Sequence, residues 1–499
     1  MKKILTVVLA LLIVAGALWS GITYWFGIQA EERYHEVLKQ SPKSPYLKLI
    51  DQSYTRGFFA SEAHTTIEIL SPDVKNESNA QKSGESTTLA FIAVHDIKHG
   101  PFPFRRASDG EWQWKLALAA IDTRISLSHE LEKRLGAVSA PSPGIPEATV
   151  HMILYAGGDG KASFSFPAFH QTFTGEETIT IDWKGVASNL LFSKDFKDFK
   201  GSLKSPGFEV TGTEGDLKIS GIESVLDLQE STSGIYVGDT SLTIGSVEFS
   251  GKATDKGGDS TEKAASFSVY KTGIKATSRN THEDIDCSLS LDVDRVGVGD
   301  TSHGPGSFTM ELHRLDATAL GRLKQAVQEE QAQAPQRSQE ELAKAMLATY
   351  MEILPILAKR SPEIEISRFN VKTSEGNFDG KAKIGFDALP AVSLENPLLL
   401  LSALKAHVQF TITEHLLDEI VASLSKNNLS KSVKNGESAP LTDEQITTLA
   451  QAGSSAELEK LVAQNLLVRE NGSYKTDASY SQGRITVNGK RIQPQKLLQ

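Results

Sequence analysis

Alternation of apolar and polar residues is the commonest pattern along this chain. HTTIEIL (His64 to Leu70) places Ile67 and Ile69 on one side, and KASFSF does the same with Phe164 and Phe166. SLTIGSVEFSG sets Leu242 with Ile244 and then, after a one-residue change of phase, Val247 with Phe249. NFDGKAKIGF puts Phe378, Ala382, Ile384 and Phe386 in register. A period of two gives a strand one buried and one wet face, the habit of antiparallel sheets. Turn residues separate the runs: GGDG at Gly157 to Gly160, SPGF from Ser205, KGGDS from Lys256, and Asn-Gly pairs at Asn435, Asn471 and Asn488. Asn-Gly suits tight turns because both residues accept positive φ. PSPGIP (Pro141 to Pro146) reads as a linker.

Helical spacing enters at particular places. GIQAEERYHEVLKQ continues the apolar start of the chain and stops around SPKSP. A second helix is predicted from near Leu315 through Gln333, and a third, after APQRS, carries EELAKAMLATYMEILPILAKRS. Leu342, Met346, Tyr350, Ile353 and Leu357 give the third an amphipathic face for packing, and Pro355 should kink its end. Near the end, LTDEQ is a helix start with Thr442 as cap and Gln445 three residues on. A hairpin from Tyr474 to Ile492 closes the chain. Strands first and helices late do not make the alternation of a doubly wound cofactor domain.

The predicted class is mostly β with α (α+β): one N-terminal transmembrane helix, then an elongated antiparallel sheet with late helices. Its expected divisions are a basic start at 1–3, an anchor at 4–28, β-rich units at 29–140 and 147–314, a helix-and-strand unit at 315–412, and a C-terminal helical subdomain with its hairpin at 413–499.

The anchor rests on Lys2 and Lys3, an apolar run from Ile4 to Ile28, and Glu31, Glu32 and Arg33 closing it. As a helix the run would rise about 37 Å, enough to cross about 30 Å of hydrocarbon. The hydroxyls of Ser20 and Thr23 can bond helix carbonyls, and Tyr24 and Trp25 suit the far interface. A cleaved leader is the rival reading, with Ala15-Gly16-Ala17 as its cleavage site, but the apolar run goes on for eleven residues beyond Ala17. No cysteine follows the run to carry a lipoprotein anchor. The two lysines favour a cytoplasmic N-terminus, so the expected location is the bacterial inner membrane, single pass, with the bulk of the chain in the periplasm. PLLLLSAL (Pro397 to Leu404) is too short to span again.

A net charge of −10 over 499 residues supplies no basic stripe, and nucleic acid is not an expected partner. The single cysteine, Cys287, excludes an intramolecular disulfide and reads as a small buried strand residue. YAGGDGKAS has Tyr155 where a phosphate loop needs glycine and Ala162 where it needs a hydroxyl, so it reads as a β-turn. The 12 histidines form no HExxH. THEDID (Thr281 to Asp286) reads as a polar turn or edge, and DVDRVGVGD lacks the closing glutamate of a calcium loop. No G-x-S-x-G is present. No cofactor, metal or catalytic residue is therefore assigned, although a dispersed triad is defined by geometry rather than sequence. KHGPFPF around His99 and SHGPGSF around His303 form a weak internal repeat. A histidine before Gly-Pro can clamp the turn by bonding its backbone carbonyls.

The short basic start and single apolar run, YTRGFFAS with Tyr54, Arg56, Gly57, Phe58 and Ser61, and KHGPF with His99, Gly100 and Pro101 occur in that order. RSPEIEISRFNVKTSEGNFDG and a closing SYSQGRITVNGK with Asn488 and Gly489 follow. In this order and spacing the chain resembles the YdgA-like family of uncharacterised bacterial inner-membrane proteins. The resemblance implies an anchored periplasmic protein that self-associates, and it marks these residues as structural or partner contacts. It supplies no reaction.

The expected function is therefore non-enzymatic: envelope-related binding, or shielding and transport of a phospholipid or other acyl ligand on an apolar sheet face. The alternatives are a self-associating scaffold, as a homodimer, and an envelope-polymer hydrolase. A hydrolase would show a Ser–His pair or paired carboxylates within hydrogen-bond reach.

Overall fold

The computed structural model describes residues 19–36, 47–70, 88–103, 116–129, 131, 144–174, 178–252, 265–281, 283–333, 339–386, 403–434 and 441–492. Two compact units share the chain. The first takes 1–230, 251–262 and 325–346; the second takes 231–250, 263–324 and 347–499.

In the first unit a helix, α1 (19–36), precedes β1 (Leu47–Arg56), β2 (Ala60–Leu70), β3 (Thr88–His99), β4 (Ala117–Leu127), β5 (Ala148–Tyr155) and β6 (Gly160–Phe166). β7 (Phe169–Thr174), β8 (Thr178–Trp183), β9 (Val186–Phe192), β10 (Asp198–Thr211) and β11 (Gly215–Glu230) complete it. Each of β1 to β5 pairs antiparallel with the next, β6 pairs with β9, and β10 lies between β9 and β11. The β7–β8 hairpin joins the far half of β10. PSPGIP is thus no boundary: β4 and β5, on either side of it, are paired. YAGGDG is the turn between β5 and β6, with Gly158 at φ 90°.

The second unit runs through β12 (Tyr236–Gly251), β13 (Ser266–Thr281), β14 (Asp284–Val298), β15 (Thr301–His303) and β16 (Gly306–Asp316). After α2 (Ala317–Gln333) and α3 (Gln339–Ala358) come β17 (Glu363–Lys372), β18 (Asn377–Phe386) and β19 (Leu404–Thr413). The ladder runs β12–β13–β14–β16–β17–β18–β19–β21 and is antiparallel throughout. α4 (Glu414–Lys434) and α5 (Asp443–Ala463) are inserted between β19 and its partner β21 (Ser473–Ser481), so the late helices interrupt a sheet rather than follow it. β20 (Val468–Glu470), β22 (Arg484–Val487) and β23 (Lys490–Ile492) finish the chain. α5 starts with the expected capping box: Gln445 N donates to Thr442 Oγ1, and Thr442 N donates to Gln445 Oε1 at 2.9 Å. The turns at Asn471-Gly472 and Asn488-Gly489 hold both residues at positive φ; Asn435 lies outside the described residues.

The two His-Gly-Pro stretches share a backbone geometry. Each contains a cis Gly–Pro bond. Gly100 N donates to Leu118 O and Pro101 O accepts from Ala117 N; Gly304 N donates to Lys372 O and Pro305 O accepts from Lys372 N. In both, the glycine and proline lock onto one neighbouring strand, so the repeat of four residues is also a repeat of structure.

α1 departs from expectation. Among the described residues no helix is long and apolar enough to cross a membrane, and residues 4–18 of the expected anchor lie outside them. Of the rest, Thr23 and Phe26 are buried, and just past the run Ala30 packs with Ala63, Ile97 and Ala119 of the sheet. One side of this part of the apolar run packs on protein, while Ile22, Tyr24 and Trp25 stay exposed. Thr23 Oγ1, expected to bond a helix carbonyl, is buried without a partner. In α3 Ile353 is buried, but Tyr350, expected in the packed face, is exposed. The helix also continues past Pro355 to Ala358.

A Cβ at Gly100 would lie 1.8 Å from the Ala117 carbonyl oxygen, whereas one at Gly273 would meet nothing within 4 Å. Gly100→Ala should therefore destabilise the first unit by about 1–3 kcal/mol, the range for overpacking, and Gly273→Ala should change little. Thermal unfolding followed by circular dichroism checks both.

Candidate functional site

Tyr54, Arg56, Gly57, Phe58, Ser61, His99, Gly100 and Pro101 come together in the first unit. Strand alternation explains part of this: Tyr54 pairs with Ala63 and Arg56 with Ser61 across the β1–β2 hairpin, while β3 brings His99 alongside. The hairpin closes through Gly57 N to Ala60 O at 2.9 Å, and His99 N donates to Phe59 O at 2.9 Å. The His99 imidazole lies 2.8 Å from Ser61 Oγ through Nε2 and 3.3 Å from the Phe58 carbonyl through Nδ1. Because a carbonyl only accepts, Nδ1 carries the proton and Nε2 accepts from Ser61. The expected clamp of its own turn is not made: His99 holds the neighbouring hairpin instead.

α1 seals this pair. A Cβ at Gly27 would stand 2.6 Å from the His99 ring, so glycine is what lets the helix pass. Ser61 and His99 are each 4% exposed. Burial pushes the His99 pKa down, as does nearby Arg56, against the Phe58 hydrogen bond. The orienting group expected of a catalytic dyad is a carboxylate; the charge facing His99 is Arg56, which is ion-paired to Glu31 of α1 at 2.6 Å. The polarity is that of a serine and its general base, but both side chains are buried beneath α1.

A second polar seam, not foreseen in the sequence, runs under α1. Tyr34 Oη and Thr65 Oγ1 are 2.7 Å apart, and His95 bridges Thr123 at 2.8 Å and Thr65 at 3.2 Å. Burial, and then His64, lower the His95 pKa. The available signal was HDIKH, in which a period of two puts His95, Ile97 and His99 on one face.

His303 faces Glu375, in the β17–β18 turn, at 3.9 Å. Asn488 and Gly489 belong to the second unit. Asn488 Oδ1 accepts from Asp477 N and its Nδ2 donates to Asn465 O, both at 2.9 Å, tying the end of α5 to β21.

The larger feature of the second unit is a sheet face. Register places Leu242, Ile274, Leu291, Phe308 and Phe369 in one cross-strand row. The next row holds Ala276, Leu289, Met310, Ile366, Ala382 and Val408, and a third holds Leu312, Ile364, Ile384 and Ala406. No charged residue stands in these rows. Leu289, Leu291, Ile364, Phe369, Ile384 and Val408 remain 37–45% exposed. Towards α4 and α5 the face is covered, where Ile412 and Tyr474 pack with Leu416 and Leu458. Phe308, Phe369, Phe378 and Phe410 form a chain of ring contacts towards that core. Cys287, half-buried, is in the same strand face as Leu289.

The opposite face carries the charge. Lys383 reaches Glu363 at 2.6 Å and Glu365 at 3.3 Å, and Arg279 pairs with Asp239. A polar cleft of about 760 Å³ there is lined by Arg368, Asp379, Lys381, Gln409, Lys475 and Asp477. His313, Glu363 and Glu365 bring ligand atoms within 4.8 Å of one another. Burial opposes ionisation of Glu363, but Lys383 and Arg314 outweigh it and hold its carboxyl below the usual range. Glu363 is thus a carboxylate already neutralised by two cations. In the first unit a smaller pocket of about 420 Å³, lined by Trp25, Phe26, Leu118, Leu154 and Phe196, opens beside α1.

The family described as "Bacterial protein of unknown function (DUF945)" matches residues 1–495, and the chain belongs to it. No curated protein matches the chain, and no solved structure does.

His95 and His99 both have folded pKa values below the free imidazole value of 6.5. The unfolded chain then takes up protons that the folded one refuses, so their contribution is present above pH 6.5 and is lost as pH falls below it. The unfolding midpoint should drop between neutral and mildly acidic pH. His95→Asn and His99→Asn should each flatten that dependence; slopes equal to that of the parent protein would refute the assignment.

Proposed function

We propose that this DUF945 protein is a membrane-anchored envelope protein that holds lipid acyl chains against the three charge-free rows on the sheet of its second unit. The observation that carries the reading is the sorting of charge across that sheet. A specific protein partner is oriented by polar and charged groups around an apolar centre, and the three rows supply none. Hydrocarbon needs only apolar surface. The eight-strand ladder from β12 to β21 is about 34 Å wide at 4.8 Å per strand, against a hydrocarbon core of about 30 Å. Covering what remains exposed of each large side chain is worth about 1 kcal/mol, a fraction of the 1.5–3 kcal/mol for full burial.

The anchor half of the proposal rests on Lys2, Lys3 and the apolar run that follows, which favour an inner-membrane position with the sheet in the periplasm. The YdgA-like resemblance accords with this. Binding is favoured over hydrolysis because the Ser61–His99 pair is sealed under Gly27.

Cys287, the chain's single cysteine, reports on the face directly. In full-length protein extracted with its native lipids, maleimide labelling of Cys287 should be slow, and should quicken after delipidation. Leu289→Asp and Ile384→Asp, at exposed positions that tolerate the change, should weaken binding of a pyrene-labelled fatty acid by about tenfold or more, equivalent to 1.4 kcal/mol. Labelling unaffected by lipid, with dimer formation accounting for any protection, would replace this reading with self-association.

A further inference from the structure

The start of α1 and two neighbouring loops expose aromatic rings together. Trp25 is 54% exposed, Phe58 46% and Phe59 59%. Tyr24 packs on Phe58 with ring centroids 5.5 Å apart, Phe58 on Phe59 at 4.8 Å, and Trp19 stacks on Phe102 at 5.6 Å. They come from three separate stretches: the first turns of α1, the Gly57–Phe59 turn between β1 and β2, and the Pro101–Phe102 corner after β3. The His99 clamp binds the last two together, since its ring accepts from Ser61 and donates to the Phe58 carbonyl. Arg56 lies over the Tyr24 ring at 5.4 Å and ties the hairpin to the helix.

We infer that this aromatic collar is a membrane-interface seat: the β1–β2 turn enters the headgroup layer of a phospholipid bilayer beside the anchor. The inference rests on the anchored reading above and deepens it. Tryptophan and tyrosine favour the interface because one part of each ring system is apolar and another hydrogen-bonds. The occupant is set by what precedes the collar in sequence. The apolar residues from Ile4 lead directly into Trp19, so the collar stands where that run leaves off. Phe26 is buried and Gly27 lies against His99, both on the protein side. The lipid segment therefore ends near Ile22, not at Ile28. From Ile4 to Ile22 a helix would rise about 29 Å at 1.5 Å per residue, close to the hydrocarbon thickness of about 30 Å. The function of the clamp follows: it holds the first unit at a fixed distance from the bilayer.

The test uses the full chain with Cys287→Ser, carrying an environment-sensitive nitrobenzoxadiazole fluorophore on Phe59→Cys. A second preparation carries the label on Lys218→Cys of β11, an exposed polar position. Each is reconstituted into vesicles of phosphatidylethanolamine and phosphatidylglycerol, floated on a gradient, and examined with and without lipids bearing a nitroxide near the headgroup. The expected result is co-flotation, a blue-shifted label at residue 59 quenched by the shallow nitroxide, and a water-like, unquenched label at residue 218. Co-flotation with a water-like label at residue 59 overturns the seat and leaves the anchor standing. A blue shift without nitroxide quenching overturns it in favour of a protein contact. Failure to float overturns both the anchor and the seat.

Discussion

An antiparallel ladder held in register decides which side of the sheet every residue occupies, and in the second unit that constraint separates hydrocarbon from charge. Lys383, Glu365 and Glu363 sit on one side; Ile384, Ile364 and Ile366, their chain neighbours, sit on the other. A slip of one residue would carry the ions into the apolar rows. The break in register between Ile366 and Phe369 is part of this order. The extra residue returns Phe369 to the apolar side, next to Phe308 and Phe378, and leaves Ser367 to bond Glu311 on the charged side at 2.7 Å. Where the chain changes phase without a bulge, the outcome differs. β12 keeps its register with β13 from Gly238 to Ser250, so Leu242 and Ile244 face one way and Val247 and Phe249 the other.

A sheet with one apolar face needs a cover, and here the observed covers are helices laid on part of it. α1 rests on Ala63 and Ala119, small residues that let a helix approach closely. α4 and α5 use larger partners, Ile412 and Tyr474 meeting Leu416 and Leu458. Both covers leave apolar sheet beyond their ends, at Ile69 and Leu89 in the first unit and along the β14–β19 rows in the second. The proposed acyl site is this uncovered remainder. Its chemistry follows from the register, since the same alternation that makes a core under the helices continues where no helix lies.

The polar groups beneath α1 show why geometry alone does not make an active site. Ser61 and His99 have the separation and proton order of a catalytic pair, yet both are buried where the helix passes at Gly27. Their hydrogen bonds instead join two hairpin ends to each other. His95 does the same between β2 and β4 through Thr65 and Thr123. Neutral imidazole is the form that fits, because burial penalises the charged ring.

Much of the fold was legible in the sequence. Period-two runs such as HTTIEIL and NFDGKAKIGF became strands, the Asn471 and Asn488 pairs with glycine became turns, and Thr442 capped its helix, because each depends on interactions among residues close in the chain. The ladder also bore out the His-Gly-Pro repeat, whose glycine and proline impose local backbone geometry. Alternation within one strand, however, does not say what lies across the sheet. That PSPGIP joins paired strands, that α4 and α5 interrupt the β19–β21 pairing, and that Thr23 and Phe26 meet protein were decided by contacts between distant residues. The residues from Tyr54 to Ser61 and from His99 to Pro101 could be chosen from the sequence, but their meeting point could not. It depends on a helix that comes close only where position 27 has no side chain.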